Sequence, residues 1–152
     1  MDVVCDTSTL IKLRKGCVFG CLGQLFQKIY IPLGVYAECQ DSLTQEAIRQ
    51  APFIEIRSVA QILSLTGIGK GELEAISLCV EMGIVTFITD DEKAFRKAIQ
   101  QNLLVIRSYQ LLLLAKQAHY IPSIKNVLDE MRAQGEGITE DLYQNILRQA
   151  GE

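Results

Sequence analysis

The chain has 152 residues, 49% of them hydrophobic and 22% charged, with a formal net charge of −3. This is the length of one domain with a real core, and too apolar a composition for disorder. A net negative chain does not suit a protein that coats nucleic acid through many cationic contacts, but bound cations would cancel part of an acidic cluster and leave a metal-dependent nuclease open.

Met1–Cys5 reads as a short buried strand. It lacks the basic and apolar regions of a signal peptide, and no later run is long enough to span a membrane, so a cytoplasmic location is expected. Thr7 or Ser8 can cap a helix running to about Lys15. Gly16, Gly20 and Gly23 break the pattern around a short helix near Val18–Gln27. Lys28–Ile31 is a strand, and Pro32 suits the first position of a helix to about Gln40. Leu43–Gln50 predicts a further helix and Phe53–Arg57 an alternating strand, while Val59–Leu65 fits neither period.

Thr66–Gly71 (TGIGKG) predicts a loop leading into a strong helix over Glu72–Met82, with Gly83 as its C′ residue. Neither phosphate-binding glycine motif fits. Walker A needs glycine where Ser64 stands and a hydroxyl residue where Gly71 stands; the dinucleotide fingerprint needs glycine at Glu72. Ile84–Thr89 is the clearest central strand. A helix over Asp91–Gln101, a strand over Leu103–Ile106, a helix from Ser108 to about His119, and helices over Pro122–Ala133 and Thr139–Gln149 complete the chain. Strands alternate with helices as far as Ile106, which implies an α/β fold with a mostly parallel sheet, followed by helices alone.

The five cysteines, Cys5, Cys17, Cys21, Cys39 and Cys79, form no CxxC pair, and His119 is the only histidine. Zinc and a disulfide framework are therefore not expected, and His119 reads as structural or surface. The acids are more informative. Asp6 and Asp90 directly follow the two clearest strands, where the loops of an open α/β sheet gather around ligands. Carboxylates converging there repel one another unless a hard cation sits between them. Thr7, Ser8 and Thr9 can each cap the first helix, which would free Asp6 for another role. An aspartyl-phosphate site built on Asp6 would want a second acid where Ser8 stands.

Glu38 shares a helix face with Gly34, Val35 and Cys39, where a carboxylate is costly unless paired or metal-bound; the plain alternative is an exposed helix edge. Glu72 and Glu74 open one helix about 200° apart around its axis, so both can hardly ligate one ion. Favourable interaction with the helix dipole, ~0.3–1 kcal/mol, would explain either. Glu72 lies on the more apolar face, with Ala75, Ile76 and Cys79, which leaves Glu74 in reserve. Asp91 suits the N-cap beside Asp90, and Thr89 adds a hydroxyl. Lys12, Arg14 and Lys15 follow Asp6, and Lys93, Arg96 and Lys97 share one helix face after Asp90. These cations are either an ordinary solvated surface or a grip for phosphates.

Together, VVCDTSTLIKL (Val3–Leu13), IYIPLGVYAEC (Ile29–Cys39), KGELEAISLCVEMGI (Lys70–Ile84) and TFITDDEKAFRKA (Thr86–Ala98) resemble the PIN-domain family of metal-dependent ribonucleases, which includes toxins of toxin–antitoxin modules. The resemblance implies a three-layer α/β/α fold with a four- to five-stranded sheet. It implies a catalytic domain over residues 1–121, with a C-terminal helical extension over 122–152 packed on it. It matches the metal-binding and catalytic acids to Asp6, Glu38, Glu72 and Asp90, with Glu74, Asp91, Thr7, Ser8 and Thr89 in support. The third acid of the family is often Asp, where this chain has Glu72. Carboxylates without histidine or thiolate select Mg²⁺ or Mn²⁺. The implied partners are an RNA held by Lys12, Lys93, Arg96 and Lys97, a cognate antitoxin protein, and a second copy of the chain in a homodimer. A second reading keeps the fold but makes the protein a weakly active or inactive module that binds nucleic acid or protein.

Overall fold

The computed structural model describes residues 1–152. Strand β1 (Asp2–Cys5) leads into helix α1 (Thr7–Lys15), a 3-10 turn at Phe19–Cys21 and the one-turn helix α2 (Leu22–Leu25). Next come β2 (Lys28–Pro32), α3 (Leu33–Glu38), α4 (Ser42–Gln50) and β3 (Ile54–Arg57). After an irregular stretch come α5 (Lys70–Met82), β4 (Thr86–Ile88), α6 (Glu92–Gln100), β5 (Leu104–Ile106) and α7 (Ser108–Gln117). Helices α8 (Ile124–Ala133) and α9 (Glu140–Gln149) close the chain.

The five strands form one sheet in the order β3-β2-β1-β4-β5, with every neighbouring pair parallel. Successive side chains of each strand feed opposite layers. Val3, Cys5, Ile29, Ile31 and Ile88 join a core with α1, α7, α8 and α9. Val4, Tyr30, Phe87 and Val105 join a second core beneath α5 and α6. Both faces are covered, as a parallel sheet requires, and the result is a three-layer α/β/α fold.

Three element starts differ from expectation for a clear physical reason. Helix α5 starts at Lys70, inside the glycine-rich stretch, because Gly69 takes the extended N-cap conformation (φ −68°, ψ 161°) and hands over directly. Pro32 ends β2 and serves as the N-cap of α3, rather than opening the helix. Arg107, not Ser108, is the N-cap of α7. Val59–Leu65, which fits neither period, forms no element, nor do the residues from there to Gly69, yet Val59, Leu63, Leu65 and Ile68 pack on the second core. Side chains satisfy their amides: Glu81 accepts from Ala60 and Gln61, and Ser77 accepts from Leu63.

Helix α8 lies close against the end of α1 because residue 16 is glycine. A Cβ there would stand 2.8 Å from the Met131 side chain and 2.9 Å from that of Val127. The end of the chain is fastened by one carboxylate. Glu152 accepts from Lys116 Nζ (2.9 Å), Ser123 Oγ (2.8 Å) and the amides of Ile124 (2.8 Å) and Lys125 (3.2 Å), at the start of α8. Burial opposes its charge, but these donors outweigh burial and draw the Glu152 carboxyl from 4.5 down to about 2. A depressed folded-state pKa adds stability above the unfolded value and loses it as pH falls through the folded one. Glu152→Gln is therefore expected to cost about 1 kcal/mol at neutral pH, since solvent screens this surface group. The gap to wild type should close between pH 4.5 and about pH 2, as checked by thermal melts across that range.

Candidate active site

The strand order reverses at β1, between β2 and β4. Crevices at the carboxyl ends of strands beside such a reversal are where open α/β sheets bind ligands. Asp6 follows β1 and Asp90 lies two residues past β4, so both acids stand at this crevice. The backbone ties the ends together: Asp6 N–H donates to Ile88 O at 3.2 Å.

Asp6 is buried, with 5% of its surface exposed. It is itself the N-cap of α1, contrary to the expectation that a neighbouring hydroxyl residue would take that role. Its Oδ1 accepts from Thr9 N–H (2.8 Å) and Ser8 Oγ (3.3 Å), while its Oδ2 accepts from the buried Thr89 hydroxyl across the crevice. A cap and a ligand are compatible, since a carboxylate has about four lone-pair sites. Burial pushes the Asp6 carboxyl up, against the lowering effect of the Thr89 and Thr9 hydrogen bonds, and the charge of Asp90 adds to the rise. The same burial, with Asp6 and Asp90 nearby, drives the Cys5 thiol well above its usual range and keeps it inert. Thr9 Oγ1 is buried and has no hydrogen-bond partner.

A cavity of about 260 Å³ is lined by Asp6, Thr7, Ser8, Val35, Glu38, Gly71 and Glu72. It holds three carboxylates and no cationic side chain. Glu38 is exposed at the end of α3, not set into an apolar face, and stands 3.7 Å from Lys70, which is also exposed. Glu72 folds back over the start of α5, where a Cβ on Gly69 would meet its Oε2 at 2.3 Å. Glu74 points elsewhere: its carboxylate covers Gly34 and lines a separate groove with Leu33, Val59 and Ile62.

Asp90 is held differently. Its Oδ2 is 2.6 Å from Lys12 Nζ and its Oδ1 accepts from Ser108 N–H at 2.8 Å. Burial works against its charge, but Lys12 and Ser108 outweigh it and keep the Asp90 carboxyl below its ordinary value. With Lys12 it lines a second cavity of about 300 Å³, whose walls come from α7, α8 and α9. No three acidic, cysteine or histidine side chains stand close enough together to enclose an ion. Asp6, Glu38 and Glu72 thus share one cavity, and Asp90 faces its neighbour.

Of the supporting residues, Thr7 and Ser8 line the acidic cavity and Thr89 binds Asp6. Asp91 caps α6 by accepting from Ala94 N–H at 2.7 Å, as its position implied. Lys93, Arg96 and Lys97 follow on α6; Lys93 and Arg96 are exposed, with Arg96 3.4 Å from Glu92. Arg14 and Lys15 are committed to Asp41 and Glu136. One residue at the crevice gave no warning in the sequence. Arg107 donates to Asp90 O (2.9 Å) and Glu92 (2.7 Å), and its guanidinium lies 4.4 Å from the centre of the Phe95 ring. Its place just past β5 was the only available signal.

By type the donors suit a hard divalent cation, with oxygen ligands only and a buried carboxylate that keeps spare lone pairs, but as they stand no three acids enclose one. A family model described as a PIN domain matches residues 2–152. No curated protein and no solved structure gives a match to the chain.

Proposed function

The chain belongs to the PIN-domain family, whose members are in general nucleases, and from that premise we propose that it is a divalent-metal-dependent endoribonuclease. The supporting observation is the cation-free cavity at the switch point, with Asp6, Glu38 and Glu72 in its lining and Asp90 on the adjoining strand end. In this reading Asp6, Asp90, Glu38 and Glu72 hold Mg²⁺ or Mn²⁺. Such an ion would supply Lewis acidity toward the phosphodiester and a water nucleophile at neutral pH.

The chain's own residues do the rest. Thr9, Ser8 and Thr89 fix the Asp6 carboxylate so that it cannot turn away from the crevice. Lys12, Lys93, Arg96 and Lys97 grip the RNA backbone, which fixes register without reading sequence. Mn²⁺-dependent cleavage of RNA by the wild type, abolished by chelation, is the expected result; an inert wild type with Mn²⁺ removes the reading. The toxin role, with an antitoxin protein covering the acidic cavity and a homodimer in the cytoplasm, follows from the family resemblance and belongs to the same proposal.

The Lys12–Asp90 pair and the spread of the acids favour a second reading, a PIN fold retained as an inactive nucleic-acid-binding or protein-interaction module. A folded protein that gives no calorimetric signal with Mn²⁺ would select it.

A further inference from the structure

One carboxylate oxygen of Asp90 is claimed by an ammonium of the chain itself. We propose that Lys12 is a positioning residue of the metal centre: it holds Asp90 in an internal ion pair, and a divalent cation recruits Asp90 only by displacing it. The inference rests on the metal-dependent reading above.

The geometry is that of a substitute cation. Lys12 Nζ stands 2.6 Å from Asp90 Oδ2, with only 27% and 24% of the two side chains exposed. A pair this withdrawn from water is weakly screened, and an incoming ion must match it. The other oxygen accepts from the Ser108 amide, so both oxygens of Asp90 are engaged, and the Lys12 ammonium repels any cation approaching the lone pairs that remain. No other cation can take Lys12's place cheaply. Arg107 is spent on Asp90 O and Glu92, Arg14 on Asp41, and Lys15 on Glu136. The pair also accounts for the division of the acids: Lys12 and Asp90 line the larger cavity, and the other three carboxylates line the acidic one.

Displacement changes the charge of the crevice usefully. A neutral lysine–aspartate pair becomes a metal-bound carboxylate and a free ammonium on α1. That ammonium is then available to the negative phosphate that a loaded site must also bind. The site thus gains positive charge in two places for one ion bound.

The test is calorimetric titration of Mn²⁺ into the full chain without RNA, for the wild type, Lys12→Met, Lys12→Gln and Lys12→Arg, with thermal melts to show that each folds. Removing the competitor is expected to tighten Mn²⁺ binding roughly tenfold in the Met and Gln variants. The Arg variant, which keeps the cation, should stay near wild type. Wild-type binding with no gain in either neutral variant overturns the role of Lys12 alone. Binding seen only in the neutral variants supports it strongly. Absence of binding in all four overturns it together with the metal-dependent reading.

Discussion

Asp6→Asn is expected to lower Mn²⁺-dependent RNA cleavage by roughly 100-fold or more while leaving the fold intact. The two effects separate because Asp6 has two jobs. As a cap it offers Oδ1 to Thr9 N–H, and asparagine does this equally well. As the proposed ligand it offers negative charge, which asparagine lacks. Thr89 donates to Oδ2; its hydroxyl can rotate and accept from the new amide instead. Burial already works against the charged form of Asp6, so the neutral variant should melt at or above the wild-type temperature. Initial cleavage rates and thermal melts on one preparation measure both effects. Equal cleavage by the two proteins would remove Asp6 from the mechanism.

A chain ending at residue 121 is expected not to fold. Ile124, Val127, Leu128, Met131, Tyr143, Ile146 and Leu147 of α8 and α9 are all buried in the same cluster as Val3, Leu10 and Ile88. Burial of one such side chain is worth ~1.5–3 kcal/mol. Together these residues contribute as much as the whole net stability of an ordinary domain, about 5–15 kcal/mol. Their loss would also bare the outer face of α1, the helix that Asp6 caps. Circular dichroism during heating should show no cooperative transition for residues 1–121. A cooperative melt would instead show that the α/β part stands by itself and that the last two helices are a separable addition.

Local patterns carried most of the fold. Val3, Val4 and Cys5 are all fully buried, as are Phe87 and Ile88; strands covered on both faces need unbroken apolar runs, and such runs are visible without a structure. The start of α5 was hidden because glycine has no strong signature inside a helix, yet Gly71 lies in its first turn. The capping role of Asp6 was hidden because three hydroxyl residues follow it, and its burial depends on Thr89, a contact 83 residues away in sequence. The acids were legible one by one, from their positions after strands and at helix starts. Their partners were not. Lys12 meets Asp90 across 78 residues, and the Ser108 amide and Arg107 reach Asp90 only because β5 lies beside β4. Pairings of this kind depend on the order of strands in the sheet, which no local pattern contains.

That order has a consequence for the making of the protein. Of the five strands β1 comes first in chain order, yet it ends up between β2 and β4. On a ribosome it can pair with β2 early, but its other edge waits for a strand that begins at Thr86. During that wait Asp6 lacks Thr89, and the edge next to Val4 is an open template for mispairing. A partly made chain therefore lacks the Thr89 and Asp90 side of the crevice until β4 has been made. The same wait makes a chaperone or an early-binding partner most useful while β1 stands unpaired.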